Sequence, residues 1–227
     1  MWGGILESSK YRLIIFDWDG TLMDSADRIA FCMRKAAEDA QVEVPSVDEV
    51  KEIIGLGLPE AIKKLMPLVG EDDREEVEKY YRYHFINNRE RTSVFFDGAL
   101  QALDELLERG FILAVATGKS RRGLNREFEK HSVGHYFVES RCADETRSKP
   151  DPLMLHEILQ STNCVREQAV IIGDTEYDMD MGRQAGIDRI GVTYGVHSKD
   201  RLEAFEPEVC LDAINELVPW LVNSSER

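Results

Sequence analysis

An apolar run, Leu13 to Phe16, stops abruptly at Asp17-Trp18-Asp19-Gly20-Thr21. Runs of strand length without alternation read as strands buried on both faces, as in a parallel sheet. Two more runs share this form. Phe111 to Ala116 is closed by Thr117-Gly118, and Gln168 to Ile172 is closed by Gly173-Asp174. Shorter strands are expected at Tyr136–Glu139, Arg189–Thr193 and Val209–Leu211. Helical spacing fills the intervals. It covers Ala99–Arg109, ended by Gly110 at C′, then Ser120–Lys130, Pro152 to Gln160 and Thr175–Gln184. Lys199–Phe205 reads as a helical turn and Ala213–Val222 as a terminal helix. Strands alternating with helices predict an α/β fold, a parallel sheet with helices on both faces.

Nothing between Asp24 and Arg91 patterns as a strand. Asp24 is placed to cap a helix over Ala26–Ala40. Ser46, with Glu49 three residues on, forms a capping box for a short helix toward Ile53. Pro59 suits the first turn of another, ending near Met66. A long charged helix runs from about Glu71 to Asn88, and Gly55-Leu56-Gly57 is a loop. This block reads as a small helical bundle inserted between the first strand and the rest.

Composition narrows the class. Of 227 residues, 43% are hydrophobic, enough for a real core. A net charge of −15 argues against nucleic acid and anionic membrane surfaces as partners. Four scattered cysteines without a CxxC spacing read as free thiols in a reducing compartment. Met1–Lys10 has neither a basic start nor an apolar centre, so it does not read as a signal peptide. No run is long enough to span a bilayer. A soluble, cytoplasmic protein is expected, with Asn223–Arg227 loose.

Polar groups recur at one structural place, the carboxyl end of a strand, where open α/β sheets bind ligands. They are Asp17 with Asp19, Thr117 after its strand, Lys149 in the polar loop Arg141–Asp151, and Asp174 with Asp178 one helical turn on. Singly, each has a plainer reading. Asp19-Gly20 could be a hairpin turn, Thr117 a strand end, Lys149 a solvated loop lysine, Asp174 an N-cap and Asp178 a solvated helix residue. Jointly they make a phosphoryl-transfer site. Asp17 can attack phosphorus, and Asp19 can protonate the leaving oxygen and then deprotonate water. Mg²⁺ held by Asp17, Asp174 and a backbone carbonyl near Asp19 would offset the accumulated charge. Thr117, Lys149 and the amides around Gly118 can hold phosphoryl oxygens. Lys119 either joins them or stays exposed.

The stretches Phe16–Ser25, Ala116-Thr117-Gly118-Lys119, Ser148-Lys149-Pro150 and Ile172-Gly173-Asp174 with Asp178 resemble the four motifs of the haloacid dehalogenase (HAD) superfamily. Within it, the chain is similar to subfamily IA, the phosphoglycolate phosphatase-like group with a helical cap. The resemblance covers essentially the whole chain. It implies a Rossmann-like core formed by residues 1–23 and 95–227, with an α-helical cap over 24–94. It also implies a Mg²⁺-dependent phosphatase acting on a small phosphorylated metabolite through an aspartyl-phosphate, as a monomer or homodimer. Asp17 takes the role of nucleophile and metal ligand, and Asp19 of general acid/base with its carbonyl on the metal. Thr117 and Lys149 hold phosphate, Asp174 binds metal, and Asp178 is a nearby acid. Gly55 and Gly57 lie where similar proteins carry a substrate-inspecting cap loop, although a plain helix-to-helix turn fits equally. Two other readings remain open. One is a sugar-phosphate mutase of the same superfamily, whose basic, serine-containing cap loop GLGLPE lacks. The other is a non-catalytic phosphate-binding relative.

Overall fold

The computed structural model describes residues 9–88 and 91–223. The readings that Met1–Lys10 is not a signal peptide and that Asn223–Arg227 is loose lie almost wholly outside the described residues. Six parallel strands form the central sheet in the order β5-β4-β1-β6-β7-β8. They are β1 (Leu13–Phe16), β4 (Ile112–Thr117), β5 (Glu139–Cys142), β6 (Ala169–Gly173), β7 (Asp188–Val192) and β8 (Val209–Leu211). β1 is central and fully buried, which is why its sequence shows no polar alternation. Successive residues point to opposite faces. Ile14 and Phe16 join a core on one side with Leu113, Val115, Val170 and Ile172. Leu13 and Ile15 join a second on the other side with Ala114, Ala116 and Ile171.

Helices cover both faces. α5 (Ala99–Glu108), α6 (Arg121–His131) and α10 (Leu217–Asn223) supply Leu103, Leu106, Leu124 and Leu221 to the first core. α7 (Leu153–Thr162) and α8 (Glu176–Ala185) supply Met154, Leu155, Ile158 and Met181 to the second. A short α9 (Lys199–Glu203) lies before β8. Each fully buried aliphatic side chain adds roughly 1.5–3 kcal/mol of burial free energy. Together, these layers hold the strand ends in register.

The inserted block forms α1 (Ala26–Asp39), α2 (Val47–Lys51), α3 (Leu58–Leu65) and α4 (Glu71–Asn87). These helices pack on one another around Ile29, Met33, Val50, Ile62 and Val77. The capping box at Ser46 and Glu49 is present, and Pro59 stands in the first turn of α3.

Two local expectations are corrected. Asp24 does not cap α1. It pairs with Val94 in a two-stranded antiparallel ribbon, β2 (Met23–Asp24) with β3 (Val94–Phe95), at the two crossings into the helical block. The residue before α1 is Ser25, whose hydroxyl is committed to Asp19 rather than to the helix. β5 starts at Glu139, because Gly134–Tyr136 forms a 3-10 turn that buries Tyr136 against the first core. The β-prone Tyr136 and Phe137 thus serve packing ahead of the strand.

All four cysteines are free, and Cys32, Cys142 and Cys164 are buried. Among the described residues, no helix is long and apolar enough to cross a membrane.

Candidate active site

Register brings the motifs together. Phe16 pairs with Val115 on one side and Ile172 on the other. Asp17 therefore leaves β1 level with Ala116 and Gly173, and Thr117 and Asp174 follow one residue on. The Asp17 backbone N–H still donates to the Ile172 carbonyl at 2.9 Å, which fixes its position. Trp18 turns back into the first core, edge-on to Phe95, Phe128 and Phe137. Its carbonyl accepts from the Leu22 and Met23 N–H groups, closing the turn. Gly20 has a φ of +87°, and a Cβ there would collide with the Asp174 carboxylate. The turn is thus shaped to bring Asp174 against it.

Lys149 is fully buried, and its ammonium donates to Asp17 Oδ1 at 2.6 Å and to Asp178 Oδ1 at 2.7 Å. Burial alone would depress its pKa, but Asp17 and Asp178 outweigh that and raise it. Asp178 Oδ2 accepts from the Thr175 hydroxyl at 2.6 Å, in a capping box that opens α8. Asp178 is therefore a buried member of the cluster, not a solvated helix residue. The N-cap is Thr175, which frees Asp174. The Asp174 carboxylate accepts from the Thr21 hydroxyl and the Val196 N–H, both at 2.9 Å.

Carboxylate oxygens of Asp17, Asp174 and Asp178 lie within 4.8 Å of one another. Burial pushes Asp17 well above the ordinary carboxylate range, against the pull of Lys149. Burial, then the charge of Asp178, pushes Asp174 up to about 7. Asp17 Oδ2 is buried without a hydrogen-bond partner. Three buried carboxylates cluster around one ammonium, which pairs with Asp17 and Asp178, and one Asp17 oxygen is unsatisfied. Such an all-oxygen donor set fits a hard divalent cation such as Mg²⁺.

Asp19 stands apart from this trio. Its Oδ1 accepts from the Ser25 hydroxyl at 2.6 Å and its Oδ2 pairs with Lys119 at 2.9 Å. Thr117 is fully buried, and its hydroxyl accepts from the Lys119 N–H at 3.2 Å. The inserted helices close over this end of the sheet. The carbonyls of Gly55 and Leu56 press so near Gly118 that a Cβ there would strike both. The Gly57 N–H donates to the Ser148 hydroxyl at 2.7 Å, and Tyr177 donates to the Glu52 carbonyl at 2.7 Å. Between the two parts lies a cavity of about 280 Å³ whose wall includes Asp17, Asp19, Gly118, Lys119 and Gly55. Gly57 lies beside it in the docked loop. From the aromatic run on α4, Tyr81 and Arg82 reach the cavity, together with Phe85.

The profile of the haloacid dehalogenase-like hydrolases matches residues 14–192. The chain is a haloacid dehalogenase-like hydrolase. A Dickeya dadantii protein named probable phosphatase IndB is 32% identical, with 91% of each chain covered. A Vibrio cholerae phosphoglycolate phosphatase is 27% identical, covering 94% of this chain and 98% of the other. A solved structure described as a predicted phosphatase from Clostridium acetobutylicum is 25% identical. It superposes with a TM-score of 0.85 over 95% of this chain and 100% of that one.

Some site residues escaped the sequence reading. Ser25 and Thr21 stand in the first motif, but nothing in their spacing showed that they would anchor Asp19 and Asp174. Ser148 is a motif neighbour whose contact with Gly57 depends on cap placement. The Val196 N–H, a backbone group distant in sequence, left no signal.

Proposed function

We propose that this protein is a phosphoric monoester hydrolase that transfers the phosphoryl group of a small metabolite to Asp17 and then to water. One observation carries the reading. The cavity between cap and core opens on Asp17 and Asp19 together, at the end of β1 where the buried acid cluster and Lys149 meet.

Lys149 lowers the pKa of Asp17 against the effect of burial, so it helps keep the carboxylate ionised for attack on phosphorus. The Asp17–phosphorus bond forms as the bond from phosphorus to the leaving oxygen breaks. Asp19 supplies the proton to that oxygen, then takes one from the water that attacks the phosphoaspartate. Ser25 and Lys119 orient Asp19 for both transfers. Thr117, the Gly118 amide region and Lys119 hold the non-bridging oxygens. Asp17, Asp174 and a carbonyl near Asp19 would hold Mg²⁺, with Asp178 beside them through Lys149 and Thr175. When bound, the ion would neutralise charge that accumulates between phosphate and carboxylate. The docked Gly55–Gly57 loop limits water at the reacting centre.

The test is phosphate release with Mg²⁺ across phosphoglycolate, sugar phosphates, nucleotides and pyrophosphate, ranked by kcat/KM. Turnover of at least one ester well above background is expected. Tight binding across the panel without turnover would refute hydrolysis, and isomerisation without phosphate release would indicate a mutase.

A further inference from the structure

The cap's contribution to the cavity is apolar. Ile29 and Met33 come from α1, Ile54 and Leu56 from the turn before α3, and Tyr81 and Phe85 from α4. The charged cap residues in the wall are Glu60 and Arg82. Arg82 is committed to Glu78 through contacts of 3.1 and 2.6 Å. Glu60 carries the sign that repels a carboxylate. The other cations of the wall, Lys119, Arg122 and Arg126, enter from the core, and Lys119 is held by Asp19. A carboxylate extending from the phosphoryl centre toward α1 and the 54–56 turn would be stripped of water against hydrocarbon, since Arg122 and Arg126 line only the core side of the wall.

Size points the same way. The cavity measures about 280 Å³. An engineered cavity of about 150 Å³ lined by such side chains holds benzene, and water occupies about 30 Å³ per molecule. A phosphoryl group with a two-carbon tail would leave much of the apolar wall wet. A phosphoryl group with a ring-sized body would cover it. The Tyr81 and Phe85 rings lie 5.7 Å apart at 33° and form one aromatic side of this space. The Tyr81 hydroxyl makes no hydrogen bond among the described residues.

We propose that the substrate is a phosphomonoester whose leaving group carries an apolar, ring-sized body seated against α1, α4 and the 54–56 turn, rather than a small carboxylate. The inference rests on the phosphatase reading above and names the substrate class for that site.

A series of primary alkyl phosphates from methyl to hexyl, with benzyl phosphate, tests it, because the leaving alcohols have similar acidity. Each buried methylene should raise kcat/KM by roughly fourfold until the pocket fills. Hexyl or benzyl phosphate should therefore exceed both methyl phosphate and phosphoglycolate by at least about a hundredfold. Ile54→Ala should shrink the hexyl-to-methyl ratio. A flat series, or phosphoglycolate above hexyl phosphate, overturns the pocket assignment while hydrolysis stands. If no ester is turned over, the phosphatase reading fails. Calorimetric binding of hexylphosphonate against methylphosphonate then decides the pocket alone. Tighter hexyl binding supports it, and equal affinities overturn it.

Discussion

Replacing Lys149 with Met removes the one ammonium inside the acid cluster. Its side chain is fully buried, and so is that of Asp178, while Asp17 is nearly so. Solvent therefore screens the lost interactions little. Breaking a buried ion pair from one side costs roughly 3–5 kcal/mol, because the remaining charge is left desolvated. Here two carboxylates lose the same partner. Against a total stability of roughly 5–15 kcal/mol, that is a large fraction. The deficit should depend on pH. Lys149 opposes the raised pKa of Asp17, so its removal raises that pKa further. A group raised in the folded state keeps its contribution below its unfolded pKa and loses it as pH rises through the folded one. The gap between wild type and Lys149→Met should therefore be small near pH 4 and widen as pH rises. Urea unfolding in EDTA at several pH values measures it. Adding Asp178→Asn to the variant should recover part of the loss by removing one unpaired charge. A gap under about 1 kcal/mol, or one that does not change with pH, would refute the view that Lys149 neutralises the cluster.

Other outcomes follow from the same geometry. Asp174, raised to about 7 by burial and by Asp178, binds its proton more tightly in the folded state. Metal-free protein should lose on the order of 4 kcal/mol as pH climbs from about 4 to about 7, and millimolar Mg²⁺ should flatten that slope in thermal unfolding. Gly118→Ala should push the Gly55–Leu56 backbone off the core and lower kcat/KM, with little change in urea midpoint, since the clash is confined to the cap contact. Ser148→Ala removes the hydrogen bond to the Gly57 N–H and should reduce kcat/KM about 2- to 12-fold, read by steady-state kinetics.

Much of this architecture was legible because burial on both faces leaves unbroken apolar runs. Leu13–Phe16, Ile112–Ala116 and Ala169–Ile172 advertise the sheet centre, and the polar residues after each run advertise its carboxyl end. The edge was less legible. Glu139–Cys142 alternates exposure and carries Glu139 and Arg141, so the aromatic residues before it looked more strand-like than the strand itself. The β2–β3 ribbon was hidden because each partner is only two residues long and the pairing spans the inserted helices. For the site, residue types at strand ends announced Asp17, Asp19, Thr117, Lys149 and Asp174. The side-chain network did not show. That Lys149 bridges Asp17 and Asp178, and that Asp19 turns instead to Ser25 and Lys119, depends on packing no local pattern encodes. Likewise, nothing local in the Tyr80–His84 run marks which side chains face inward; the rotation of α4 brings Tyr81 and Arg82 to the cavity.

In the proposed mechanism, Asp17 carries the phosphoryl group. The most direct measurement is the rate of p-nitrophenyl phosphate hydrolysis by Asp17→Asn, with Mg²⁺ present and folding verified by urea midpoint. The substitution keeps shape and removes the nucleophilic charge. A fall of at least about a thousandfold is predicted, as for the loss of a covalent nucleophile. Hydrolysis by the folded variant at the wild-type rate would contradict the account.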